Sequence, residues 1–209
     1  MKEVSEFDTE AALIETLQGI FQGNDKTKVG SGFHGLIEGK YNRQGNLYAA
    51  EDILFTQDQA AVAIDFRNSH PLMIPEVTIY HTYTTAFFPI QVSGRVDGIE
   101  GTKVHDHKCK FRTPPFTEYL DSVQWKVYLD ALASDIFQYN IFEVKDFDAL
   151  IGDGPFIVDE GVSFLAHEPM ICTRYESMQQ EIISLLNYFL DYVHSRGLLQ
   201  YLKPAIVDH

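Results

Sequence analysis

Between Gly94 and Lys108 the chain reads Gly94-Arg95-Val96-Asp97-Gly98-Ile99-Glu100-Gly101-Thr102-Lys103-Val104-His105-Asp106-His107-Lys108. Alternate residues of a strand face the same way, so Asp106 and Lys108 share one face of the second of two apparent strands. A short turn over Gly98 to Gly101 lets the strands pair and brings Asp97, near the end of the first, beside them. Two carboxylates and an ammonium on one patch can hold a hard divalent cation and orient or activate water, which is the equipment for cutting a phosphodiester. The same residues also suit a plain hairpin with solvated edge charges.

Three further groups have spacing that could matter. His34 and Glu38, in Gly30-Ser31-Gly32-Phe33-His34-Gly35-Leu36-Ile37-Glu38, are four apart and share a helix face; a neutral imidazole is a common metal ligand, and a surface His–Glu pair is the plainer account. The glycines around them suggest close backbone packing. Gln124 and Tyr128 are also four apart, an amide and a phenol that could hold a phosphate or stack on a base, or simply line an amphipathic helix. His105 and His107 flank Asp106. A zinc site there is conceivable, but a strand points them away from Asp106, so they read as second-face residues. Cys109 shares that face and reads as buried packing. No Gly-rich phosphate loop and no G-x-S-x-G elbow is present, so nucleotide hydrolysis and α/β-hydrolase chemistry have no support.

The elements that must position these residues follow from periodicity. Asp8 to Gln22 reads as a helix that Thr9 could cap, and Ser31 to Glu38 as a second, short one, followed by turn-rich residues to Asn46. Ala60 to Phe66, Val77 to Phe88, Ile90 to Val96 and Lys103 to Phe111 read as strands, broken at Pro114-Pro115. Thr117 to Ala133 reads as an amphipathic helix with Leu120, Val123, Val127, Tyr128 and Leu132 inward. Ile136 to Val144 and Gly161 to Leu165 read as strands, and Tyr175 to Ser195 as a long helix ending before Gly197. The order predicts an α/β fold, a mixed central β-sheet flanked by helices.

At 209 residues and 45% hydrophobic, the chain can bury one sizeable core, and one domain over residues 1–209 is expected. No apolar run is long enough to span a bilayer, and the acidic start Met1 to Glu6 lacks the core of a signal peptide. Two cysteines, Cys109 and Cys172, make no disulfide framework, which suits a cytoplasmic protein, and exclude a four-cysteine iron–sulfur cluster from this chain alone. A net charge of −14 opposes binding of a polyanion, but it is segregated. From Gly101 to Lys126 there are five Lys/Arg against three acids; from Glu143 to Pro169 there are seven acids against Lys145. That acidic stretch is a solvated region or a docking surface for a protein partner.

Taken in order, these groups resemble the PD-(D/E)XK nuclease superfamily, in its RecB-like exonuclease branch. Gly94 to Ile99 looks like the G-x-x-D strand, Asp106 to Lys108 like the (D/E)-x-K strand, and Gln124 to Tyr128 like the Q-x-x-x-Y helix. Gly30, His34 and Glu38 are similar to the helix that precedes them, and Glu76 lies where such chains often carry a glutamate, although an exposed turn residue is the other account. The resemblance covers about residues 30–144, with a helical part about 170–209 beyond it, and it lacks the iron–sulfur cysteines and helicase region of some members. It implies a restriction-endonuclease-like core and a metal-dependent DNA exonuclease acting in recombination or repair. Asp97, Asp106 and Lys108 would be catalytic. His34, Asp97, Asp106 and the carbonyl of His107 would ligate Mg²⁺ or Mn²⁺. Gln124 and Tyr128 would support the site and the DNA, and Glu38 and Glu76 are further candidates. The partners implied are linear duplex or single-stranded DNA and a recombination protein, with no membrane. A structure- or site-specific endonuclease of the same fold, or a non-catalytic binding module, is the alternative.

Overall fold

The structure is a computed structural model, described here for residues 10–20, 23–112 and 116–203. Thr9, the helix end at Gln22, the acidic start of the chain and Pro114-Pro115 lie outside the described residues. The described chain is α/β: α1 (Glu10–Gln18), α2 (Asp25–Glu38), a strand trio β1 (Asn42–Gln44), β2 (Leu47–Ala50) and β3 (Ile53–Phe55), then α3 (Gln57–Ser69). The strands β4 (Ile74–Tyr83), β5 (Ile90–Glu100) and β6 (Lys103–Lys110) lead to helices α4 (Phe116–Asp121) and α5 (Gln124–Ala131). Strands β7 (Ile136–Lys145), β8 (Phe156–Ile157), β9 (Ser163–Ala166) and β10 (Met170–Thr173) precede α6 (Met178–Ser195).

The larger sheet runs β10-β7-β6-β5-β4, with β9 also on β7. It is mixed: β5 is antiparallel to β6, β6 parallel to β7, and β10 and β9 antiparallel to β7. The smaller sheet is β1-β2-β3-β8. The chain divides into two compact units. One is drawn from Met1–Gln22, Tyr80–Val92 and Gln179–His209; its core is Leu13, Leu190, Val193 and Leu198. The other, Gly23–Ile79 with Ser93–Met178, holds every candidate site residue and a core built on Phe33, Leu36, Phe55, Phe142 and Phe164.

Five stretches differ from the sequence expectation. Ala60 to Phe66 is helix, not strand: Thr56 and Gln59 close a capping box at the start of α3, and the buried residues Gln59, Ala60 and Ala63 fall on one helical stripe. A short apolar run rich in alanine does not distinguish the two by pattern, and alanine favours helix. Helix α2 starts at Asp25 rather than near Ser31, capped reciprocally by Asn24 and Thr27, and it tolerates its glycines because they let it lie close to the small sheet. A Cβ on Gly32 would stand 3.0 Å from Ile53 Cβ and from Phe55 Cε2. The stretch after Lys40, expected to be turn, forms the β1–β2 hairpin.

The helix expected over Thr117 to Ala133 is two. Ser122 Oγ accepts the Gln124 N–H at 3.2 Å, a local bond that competes with helix continuation, and Trp125 Nε1 donates to the Leu120 carbonyl at 3.2 Å. The break leaves Leu120 and Val123 exposed rather than inward, while Tyr128 and Leu129 are buried. Finally, β4 ends at Tyr83, and Phe87 and Phe88 lie in a turn whose N–H groups donate to Thr85 Oγ1.

Candidate active site

The ladder between β5 and β6 pairs Gly98 with His105, Ile99 with Val104 and Glu100 with Lys103, so the chain turns at Gly101-Thr102, three residues later than a turn beginning at Gly98. Gly98 itself is a paired strand residue. The ladder stops there, although both strands continue. The next free donor on β6, the His107 N–H, instead donates to Asp97 Oδ2 at 2.6 Å. A side-chain carboxylate thus replaces a strand carbonyl, and this fixes Asp97 at the point where the pairing ends.

Asp106 and Lys108 lie together, as their spacing predicts. Lys108 Nζ is 2.8 Å from Asp106 Oδ2 and donates to Oδ1 at 3.1 Å. Asp106 pairs across the ladder with Tyr139 of β7, on which Tyr119 of α4 packs at 4.8 Å between centroids. Asp106 is 2% exposed. Burial pushes its carboxyl up to about 6; Lys108 pulls the other way and the Asp97 charge adds to the rise. Burial also raises Asp97, against the His107 N–H bond and Lys108.

His34 approaches from α2, its Nδ1 3.7 Å from Asp97 Oδ1. Burial lowers its pKa, more than nearby Asp106 raises it, so it is neutral and able to offer a lone pair. Glu38 does not join it at the carboxylates. Glu38 and Glu76 both pair with Lys40, the first at 2.9 Å, and Arg95 Nη1 meets Glu76 Oε1 at 3.0 Å. These two acids are held in a separate ion-pair chain, and Glu76 is a half-buried residue of β4 rather than an exposed turn residue, with a φ of +50°.

Gln124 Oε1 stands 3.5 Å from Lys108 Nζ, at the start of α5. One turn on, the buried Tyr128 donates its hydroxyl to the Arg95 carbonyl at 3.1 Å, and its ring fills the space a Cβ on Gly94 would take, 2.4 Å from Cε1. Tyr128 therefore acts on β5, holding the strand that carries Asp97. Gly94 is required by close approach, which explains a glycine three residues before the acid.

The other face of β6 is a second, buried polar cluster. His105, His107 and Cys109 point toward α2 and α3, as alternation requires. His107 packs on Phe66 at 5.0 Å, so its side chain is core; its N–H is the part that serves Asp97. Burial pushes the Cys109 thiol up to about 12, which leaves it inert as a nucleophile. Opposite on β7, Gln138 Nε2 donates to Asn140 Oδ1 at 2.7 Å, and Asn140 Nδ2 lies 3.2 Å from His105 Nδ1 and 3.1 Å from His107 Nδ1.

His105 is the centre of a group the sequence did not isolate. His70 Nδ1 is 2.9 Å from Glu100 Oε2, and His105 Nε2 is 3.6 Å from the same oxygen. Among the described residues, this is the one group of three His, Cys, Asp or Glu whose ligand atoms all lie within 4.8 Å of one another. His34, Asp97 and Asp106 are more widely spaced. His70 is 30 residues from Glu100 in the chain, and only the packing of α3 on the sheet brings them together. The available signal was His105 itself, a histidine on the strand face that turns away from Asp106.

No protein-family model matches the chain, and no curated protein matches it. Solved structures that match include one described as "Crystal structure of SSO0001", at 10% identity and a TM-score of 0.42, over 72% of this chain and 68% of that one. A likeness this remote carries nothing about activity. Among the described residues, no helix is long and apolar enough to cross a membrane.

Proposed function

We propose that this chain is a divalent-metal-dependent deoxyribonuclease of the PD-(D/E)XK type, acting as an exonuclease in recombination or repair. The observation that carries the reading is Lys108 Nζ held 2.8 Å from Asp106 Oδ2, beside Asp97 at the end of the β5–β6 ladder. Asp97, Asp106 and the neutral His34 are the residues that would hold Mg²⁺ or Mn²⁺. The donor set fits: a buried carboxylate whose ionised form is disfavoured by burial and by a second carboxylate is relieved by a cation. Such an ion, when bound, polarises a phosphoryl oxygen and lowers the pKa of water.

The chain's own residues supply the rest. Lys108, once its ammonium is shared between Asp106 and the incoming phosphate, orients the attacking water and offsets developing charge. Gln124 steadies the ammonium, and Tyr128 fixes β5. Lys110 follows Lys108 on the same face of β6, its Nζ 5.3 Å from the Tyr119 ring, and Arg112 continues the basic run. That run is where a phosphate backbone would lie despite the net charge of −14. A reducing cytoplasm would keep Cys109 and Cys172 as the free thiols they are.

End-labelled linear DNA and covalently closed circular DNA, each incubated with Mg²⁺, Mn²⁺ or EDTA, test the proposal. The expected result is metal-dependent loss of linear DNA alone, absent in Lys108→Ala. Cutting of the circle would make the chain an endonuclease. Equal cleavage by Lys108→Ala would remove the assigned site altogether.

A further inference from the structure

We propose that His70, Glu100 and His105 form a second metal site, of the zinc class, that clamps the end of α3 to the β5–β6 hairpin. The ligand set decides the class. Two imidazoles and one carboxylate suit Zn²⁺ and its neighbours among the transition metals, not Mg²⁺, which wants oxygen donors and keeps its waters. The geometry agrees. Ligand atoms at about 2.0–2.1 Å from a tetrahedral ion stand about 3.3 Å apart. The measured spacings to Glu100 Oε2 are 2.9 Å from His70 and 3.6 Å from His105, on either side of that value.

A second observation points to a ligand there. His105 is fully buried, and its Nε2 has no hydrogen-bond partner, because 3.6 Å is outside hydrogen-bond reach of the carboxylate it faces. A buried imidazole nitrogen left without a partner costs stability that an ion would recover. Glu100 and His70 keep 25% and 20% of their side chains exposed, which gives an ion a way in and leaves a fourth position for water.

Asn140 sets the tautomer. With its amide nitrogen toward His105 Nδ1, the ring proton sits on Nε2 and blocks ligation. Turning the amides of Asn140 and Gln138 together keeps the bond between them and presents Asn140 Oδ1 to the Nδ1–H groups of both His105 and His107. The Nε2 lone pair of His105 is then free. A ligating histidine commonly donates its other ring N–H to such an oxygen. No proton leaves the site, since His70 and His105 stay neutral by moving theirs to the other ring nitrogen.

The test is titration of the metal-stripped full chain with Co²⁺, followed by its visible absorption and by calorimetry, then displacement with Zn²⁺. Asp97→Asn/Asp106→Asn removes the acidic site on the other face. In that background one equivalent should still bind with the intense bands of tetrahedral Co²⁺. Adding Glu100→Gln, which keeps side-chain shape, should weaken binding by more than about 100-fold, as should His70→Ala. Circular dichroism checks that each variant is folded. The proposal is overturned if the parent binds no Co²⁺ with tetrahedral bands, if those bands persist unchanged in Glu100→Gln and His70→Ala, or if they vanish with Asp97→Asn/Asp106→Asn alone. Each of these results stands apart from whether the chain cuts DNA.

Discussion

On one face of β6, Asp106 and Lys108 form a charged pair beside Asp97, with the acids pushed toward protonation by burial; on the other, His105 and His107 are held neutral in a hydrogen-bonded cluster with Asn140 and Gln138. The residues of the two faces alternate along one strand, one position apart. Yet the first face is charged and unrelieved, while the second is neutral and tied together through the Nδ1 atoms, with the Nε2 atoms of both histidines left without a partner. A carboxylate pair with one shared ammonium holds more negative charge than it neutralises, and it gains from a cation or a phosphate-bound metal. A cluster of neutral amides and imidazoles carries no net charge to offset; its hydrogen bonds specify packing, and the open Nε2 of His105 is where the proposed zinc-class ion would sit. The difference fits the proposed division, in which the charged face would carry chemistry and the neutral face holds the core together.

The largest effect expected of that division is on activity. Lys108→Ala should lower Mg²⁺-dependent cleavage of linear DNA by about 10²–10⁴-fold, the range for loss of one group that handles protons or charge in the transition state. Single-turnover digestion at matched circular dichroism measures it. A fall of less than tenfold would mean the chemistry is elsewhere.

On the other face the same logic predicts a loss of stability. Asn140→Ala strips Gln138 Nε2 of its acceptor and leaves both Nδ1 atoms of His105 and His107 unpartnered in a dry core. The expected cost is about 2–4 kcal/mol, read from urea denaturation. A cost under about 1 kcal/mol would show that water reaches the cluster and that the two faces are less different than their burial implies.

How far this was legible in the sequence depends on how local the signal is. Strands β5, β6 and β7 and the pairing of Asp106 with Lys108 come from a period of two over a few residues, which survives any tertiary context. Helix α3 did not, because Ala60 to Phe66 is apolar without a resolving period and its capping box at Thr56 and Gln59 is polar and unobtrusive. The split between α4 and α5 turns on one hydroxyl, Ser122 Oγ, bonding one N–H. His70 and Glu100 were invisible as a pair because nothing within 30 residues of chain links them. Glu38 and Glu76 were readable as acids near the site, but that Glu76 joins Glu38 on Lys40 depends on a contact made across 36 residues of chain.

The two faces should also respond oppositely to pH. Asp106, raised from 3.8 to about 6 by burial, is protonated in the folded chain where the unfolded chain is ionised. Its contribution to stability is full below about 3.8 and is lost as pH rises to about 6. His105, lowered from 6.5 to about 4 by burial, works the other way: its contribution is present above about 6.5 and lost as pH falls through about 4, and the lowered His107 acts with it. Asp106→Asn removes only the first. The variant should therefore gain stability relative to the parent at pH 7, on the order of 2–3 kcal/mol, with the gain disappearing toward pH 4. Urea midpoints at pH 4.5, 5.5 and 7 measure this. A difference independent of pH would mean that Asp106 is ionised throughout and better compensated than its burial suggests.

The smallest effect concerns how β5 is held, and it sharpens the contrast by asking whether the charged face has a rigid support of its own. A methyl on Gly94 would sit 2.4 Å from Tyr128 Cε1 and 2.9 Å from its hydroxyl, so Gly94→Ala must push the ring out or bend the strand that carries Asp97. The cost should be about 1–3 kcal/mol, as for other overpacked sites. Were this merely the intrinsic preference of a strand, alanine would stabilise instead, since glycine is the more costly residue there. In a Tyr128→Leu background the clash is gone, and Gly94→Ala should become neutral or favourable. A double-mutant cycle with a coupling below about 0.5 kcal/mol would show that the tyrosine is not what requires the glycine. A larger coupling, together with a fall in cleavage for Gly94→Ala, ties the position of Asp97 to the ring packed behind its strand.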